Sequence, residues 1–302
     1  MTDGRSFCLS LPLDIPGGVR AGRYPPRLFP LPASDDRVCN INRRIADVYP
    51  NAEGYVSDDA VELCLQYSTQ WDGLSHHGGT FDVDGDGVDE IVYYNGWRAG
   101  RDILSPVEAA AAGVEHSGAL RLGIDTFAEK AIQTRGVMVD FLDYFGPERR
   151  KISWPAFERM LTEREIIVAP GDILCLHSGV SEAVLDMAGK PDVAVLRGLG
   201  AELDGADEGI LNWISESGVS AIAADNFAVE WWQKPPSTEH PYNLLPLHEH
   251  CLFKLGVPLG ELWRLTPLAE ALRNREPYFL LTAPPLRLPR AVGSPVTPVA
   301  TI

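Results

Sequence analysis

Residues 67 to 77 read YSTQWDGLSHH. Gln70, Trp71, Asp72, His76 and His77 crowd into this run, with Gln66 just ahead of it. A carboxylate and an imidazole at such spacing can share a proton or hold a cation. The plainer alternatives are that Asp72 caps a helix and that His76 is a hydrogen-bonded interior histidine. A second concentration, DVDGDGVDE at 82 to 90, sets Asp82, Asp84, Asp86 and Glu90 at loop positions 1, 3, 5 and 9, with Gly87 at position 6. That spacing wraps oxygens around a hard cation, and the glycine permits the sharp turn. Position 12 is Tyr93, where a full EF-hand loop has a glutamate. The plainer reading is a solvated acidic turn, and a short loop binding Ca is the alternative. Further on, His248 and His250 in LPLHEH stand two residues apart on an expected helix, so they cannot share a face and one of them is structural. Glu230 closes ADNFAVE and either orients a ligand or ends a strand. His116, His177 and His240 have no partner in sequence and read as structural.

The elements that must position these groups alternate along the chain. DDAVELCLQYSTQWDGLSHH is a helix or strand running into the cluster; VDEIVYYNGW reads as a strand. SPVEAAAAGV opens a helix at Ser105, with Pro106 tolerated in its first turn. TRGVMVDFLDYF is a buried-strand pattern, SWPAFERMLTEREI an amphipathic helix, and PGDILCLHSG a turn followed by an apolar strand. ADEGILNWISESG reads as helix and VSAIAADNFAVEWW as strand. The stretch from Leu245 to Arg275 reads as helical, broken at Gly256 and Pro258; residues 279 to 302 return to strand and end in a Pro-rich tail. Alternating strands and helices without an internal repeat indicate an α/β fold in one domain. Residues 1 to 50, opening with a stretch rich in Pro, Gly and Arg, read as an extended arm, and 51 to 302 as the domain.

Composition narrows the partners. The 302 residues suffice for a real core, and 45% hydrophobic with 9% aromatic content is that of a globular chain. A net charge of −16 repels phosphate backbones and anionic bilayers, so nucleic acid and membrane are not expected. No apolar run reaches the ~18 residues of a spanning helix, and no basic region precedes an apolar one at the start. Five cysteines without a CxxC pattern fit free thiols in a cytoplasmic protein. No GxSxG, GxGxxG or P-loop is present, which argues against a serine nucleophile or a bound nucleotide.

The segments TQWDGLSH, RGVMVDF, PGDILCLHSG, ADNFAVE and LPLHEHCLFKLGVPLGELW, in that order, resemble the cyclase family of metal-dependent hydrolases, which includes bacterial kynurenine formamidase and isatin hydrolase. The resemblance spans roughly residues 55 to 285. It implies a swivelling β/β/α fold with a mixed sheet, assembling as a homodimer or homotetramer. The family motif His-x-Gly-Thr-His-x-Asp-x-Pro-x-His falls on Thr69, Asp72 and His76, with Gln66 and Gln70 in place of two histidines and Leu74 in place of the proline. By this resemblance Asp72, His248 and Glu261 form a ligand set for a divalent metal, Zn or Mn, with Gln70 as a weaker oxygen donor. His76 takes the acid/base position alongside Asp72. Trp71, Gln66 and Glu230 are candidates for contact with a small-molecule substrate.

The leading expectation is therefore a metal-assisted hydrolase of a cyclic or aryl amide or lactone, working through a metal-bound hydroxide. A metal-independent lyase, cyclase or isomerase on the same fold is a second reading, with Gln66 and Gln70 as hydrogen-bond donors. A calcium-stabilised module that binds a small ligand without catalysis is the third. Metal content discriminates among them.

Overall fold

A computed structural model describes residues 3–18, 22–31, 41–233 and 242–302. His240 and Cys39 lie outside the described residues, as does part of the segment read as an arm. The centre is a nine-stranded mixed sheet, whose strands in chain order are β1 (Ser6–Cys8), β2 (Gln70–Asp72), β3 (Gln133–Asp140), β4 (Ile173–His177), β5 (Ala221–Ala224), β6 (Leu259–Glu261), β7 (Tyr278–Thr282), β8 (Gly293–Pro295) and β9 (Val299–Thr301). Their spatial order is β1-β9-β7-β3-β4-β5-β6-β2-β8. The four central strands, β3 to β6, run parallel, and antiparallel strands complete both sides.

Burial explains why the central strands read as unbroken apolar runs. Ile173 to His177 are all buried, because a parallel strand in mid-sheet is covered on both faces. One face carries Val137, Val139, Leu174, Leu176, Ile222 and Leu259 and packs on Phe157, Met160, Ile210, Ile214, Leu247 and Leu252. The helices Trp154–Glu163 (α1) and Glu208–Ser217 (α2) bring the first four of these. The other face carries Met138, Ile173, Cys175 and Ala223 and packs on Trp263, Leu265, Leu268 and Leu272, the last two from the helix Thr266–Leu272 (α3). The sequence signals hold locally. Ser105 and Glu108 form a reciprocal capping box with Pro106 in the first turn, and α2 runs from an Asp207 cap to a left-handed Gly218.

Three expectations change. Strand β5 stops at Ala224, short of the run expected to 232, because the side chains beyond it take up backbone groups. Asp225 accepts from the amides of Ser178 and Gly179, and Asn226 Oδ1 from that of Val229. The long helical reading from Leu245 is interrupted by β6; after the left-handed Gly256 the chain is extended and joins the sheet. The Pro-rich tail supplies two sheet strands, β8 and β9.

Of the first 50 residues, Ser6–Cys8 pair with β9, and Leu9, Leu11 and Ile15 are buried. Tyr24, Leu28 and Phe29 are exposed. Among the described residues no helix is long and apolar enough to cross a membrane.

Candidate metal centre and its surroundings

Register builds the site. Strand β2 pairs antiparallel with β6, setting Asp72 opposite Leu259 and Glu261 opposite Gln70. Side chains alternate along a strand, so Gln70 and Asp72 share one face with Glu261, while Trp71 falls on the other. There its ring meets Trp263 edge-on at 4.9 Å and its Nε1 donates to the Ala283 carbonyl. Trp71 thus belongs to the far core and does not face the Asp72 side. Gln66 packs its amide over Gly293 of β8, where a Cβ would collide with it.

His248 arrives from a third element. It ends the short helix Pro246–His248, which continues as a π-helical turn, Glu249–Leu255. Such turns are rare and frequent at functional sites. Glu230 fixes it. Its carboxylate accepts from the backbone amides of Leu247 (2.9 Å) and His248 (2.8 Å), and Oε1 also accepts from His248 Nδ1 at 2.8 Å. Glu230 follows Val229, a β-branched residue at φ 62°, an uncommon conformation that the Asn226 side chain secures. Gly205 clears the space, since a Cβ there would strike the Glu230 carboxylate.

With Nδ1 so engaged, His248 Nε2 faces Glu261 Oε1 at 3.5 Å and Asp72 Oδ2 at 4.0 Å. Potential ligand atoms of Asp72, His248 and Glu261 lie within 4.8 Å of one another, and all three residues are buried. Gln70 Nε2 donates to Asp72 Oδ1 and to Glu261 Oε2, each at 3.0 Å. His76 sits closer to solvent, its Nε2 3.6 Å from Asp72 Oδ1. A turn that returns the His76 amide to the Gly73 carbonyl places it there. His250 turns away, bonding Ser215 and the Leu211 carbonyl.

The electrostatics follow from this crowding. Burial opposes a charge on His248, but hydrogen bonds and negative charge from Glu230 and Glu261 outweigh it and push its pKa up to about 10. His77, half-buried and 6.0 Å ring to ring from His248, goes the other way. Burial, then the neighbouring imidazoles of His248 and His76, lower it to about 4, so it is neutral at pH 7. From sequence His77 is named in the polar run but carries no role; its place beside His76 was the available signal.

A further polar group, not anticipated from sequence, lies on the opposite face of the sheet. His177 Nδ1 meets Asp140 Oδ1 at 2.8 Å and its Nε2 meets Thr266 Oγ1 at 2.9 Å. The acidic loop also converges, with Asp82, Asp84 and Asp86 near one another. Asp82 accepts from the amides of Gly85, Asp86 and Gly87, and Arg98 reaches both Asp84 and Glu90 at 3.0 Å. A cleft of about 810 Å³ lined by Arg135, Arg275, Tyr278 and Thr301, among others, holds none of the residues singled out from sequence.

Comparison with known proteins bears on what this geometry serves. The Cyclase family model matches residues 9–231. A crystal structure described as a novel cyclase superimposes with a TM-score of 0.72 at 29% identity, covering 100% of this chain and 88% of that one. Isatin hydrolase A from Labrenzia aggregata, bound to benzyl benzoate, gives 0.60 at 14% identity over 99% of this chain and 93% of its own. A "predicted metal-dependent hydrolase" from Bacillus stearothermophilus gives 0.51 at 12% identity, covering 98% of each chain. The last two likenesses are of fold. No curated protein matches in sequence.

Proposed function

Because this chain belongs to the Cyclase family, we propose that it is a metal-assisted hydrolase of a cyclic or aryl amide, or lactone, of small size. One observation carries the reading: Asp72, His248 and Glu261 converge from separate elements, and Glu230 orients the imidazole. The donor set fits a divalent cation. Three buried carboxylates, Asp72, Glu230 and Glu261, surround one imidazole, more negative charge than His248 alone neutralises. The carboxylate–imidazole pair behind His248 is also the arrangement that directs a histidine ligand.

Asp72, His248 and Glu261, with Gln70 beside them, are the residues that would hold Zn or Mn. Such an ion supplies Lewis acidity toward a carbonyl and acidifies water. The chain's own groups do the rest. Glu230 keeps the proton on His248 Nδ1 and leaves Nε2 turned toward Asp72 and Glu261. His76, the more accessible imidazole, takes a proton from water and returns it to the leaving nitrogen or oxygen. Neutral His77 offers a hydrogen bond without adding charge.

The unit 51–302 holds this machinery. Within the arm, residues 1 to 50, the part that carries the exposed Leu28 and Phe29 is assigned to contact with a second copy in a cytoplasmic homodimer or homotetramer. Light scattering at the mass of one 33.0 kDa chain at micromolar concentration would remove that assignment. The catalytic reading is tested by metal analysis and by hydrolysis of a panel of cyclic aryl amides and lactones, isatin among them. Asp72→Ala is expected to lose metal and activity together. Equal metal content and turnover in that variant and the wild type would sink the reading.

A further inference from the structure

Gln70 stands where it decides what the site accepts. Its amide lies between the two carboxylates of the candidate ligand set, 3.0 Å from Asp72 Oδ1 and 3.0 Å from Glu261 Oε2. Ionised carboxylates only accept, so the N–H2 end must face them. Gln70 is fully buried, Asp72 is 1% exposed and Glu261 4%, so this link is made away from water, where polar contacts are strong. The backbone cannot withdraw it, because Gln70 on β2 is held in register opposite Glu261 on β6 and opposite Pro295 on β8.

The amide engages Asp72 Oδ1 and Glu261 Oε2, while Asp72 Oδ2 and Glu261 Oε1 face His248. The positive end of the amide dipole opposes an ion held between these carboxylates. Half a rotation about the last side-chain bond resolves the conflict by bringing Oε1 to where Nε2 stood. The donor set then comprises two carboxylates, one amide carbonyl and one imidazole. Three oxygen donors against a single nitrogen suit manganese and magnesium, whereas zinc favours sites richer in imidazole or thiolate.

Resting on the metal reading above, we propose that Gln70 is the residue that sets cation preference. Its amide braces Asp72 against Glu261 in the metal-free protein and turns over to give its carbonyl oxygen to an oxygen-preferring divalent ion.

The test uses the full-length protein stripped with chelator and titrated calorimetrically with Mn²⁺ and with Zn²⁺. Gln70→His is expected to tighten Zn²⁺ at least about tenfold while Mn²⁺ changes less than about threefold. Gln70→Met, similar in volume but without the amide, is expected to lower the thermal midpoint of the metal-free protein and to recover much of it with Mn²⁺. Equal tightening for both ions, or none, in Gln70→His would overturn the preference. A metal-free Gln70→Met protein as stable as wild type would overturn the brace. Failure of the wild type to bind either ion would refute the metal reading itself, and the inference with it.

Discussion

Two acidic clusters begin within a short stretch of chain, at Asp72 and at Asp82, and they are built in opposite ways. Asp82, Asp84 and Asp86 are contiguous, lie in a surface loop and are largely satisfied by their own loop amides and by Arg98. Asp72 and Glu261 come together only because β2 pairs with β6, and His248 reaches them from a separate helix. In the loop, water and salt screen the charges, so carboxylates can crowd at little cost. In the buried cluster the same crowding must be answered by a counter-charge, which raises the His248 pKa and, in the proposed reading, would draw a cation. Spacing in sequence advertises the weaker cluster; the stronger one is assembled by register.

The widest separation between the two should appear in turnover. His76→Ala, beside the buried cluster, is expected to lower kcat by ~10²–10⁴ with metal content unchanged, the usual scale for a missing acid/base group. Asp86→Asn in the loop is expected to leave kcat as it was. Comparable losses in the two variants would erase the distinction.

Smaller, and specific to how the buried cluster is held, is the effect of Glu230→Gln. The substitution keeps the shape but removes the charge that orients His248. Metal affinity is expected to fall ~10–100-fold, as for other groups that position a histidine ligand. Direct titration measures it; an unchanged affinity would mean that packing alone places the ring.

Much of the scaffold is legible in the sequence because it depends on neighbours. Ile173 to His177 is a strand by its apolar run, and Ser105 with Glu108 announces a helix start. The site is legible only in part. Asp72 and His76 belong to one local run, but Gln70 and Glu261 are 191 positions apart, and nothing local states that they pair. Leu259–Glu261 is only three residues long between helical patterns, too short to show the alternation of a strand. The resemblance favours His248 over His250, but the partners that separate them, Glu230 for one and Ser215 for the other, are not visible in the sequence. Asp140 and His177 are partners across the β3–β4 register and hence invisible as a pair in the chain.

The smallest predicted effect concerns calcium at the loop. Arg98 already occupies Asp84 and Glu90 with a positive charge, and three backbone amides occupy Asp82, so an ion arriving there displaces contacts that the protein already makes. At the buried cluster an ion binding only the native state adds about 2.7 kcal/mol at a hundredfold excess over its Kd, which is several degrees in thermal midpoint for a chain of this size. Millimolar calcium at the loop is expected to add a degree or two at most, in the range of weak extracellular-type loops. Arg98→Ala should enlarge the calcium shift if the guanidinium is the competitor, while leaving the manganese shift alone. Scanning fluorimetry of wild type and Arg98→Ala, each with chelator, Ca²⁺ or Mn²⁺, measures both clusters at once. A calcium shift in the wild type as large as that of manganese would reverse the ranking of the two clusters.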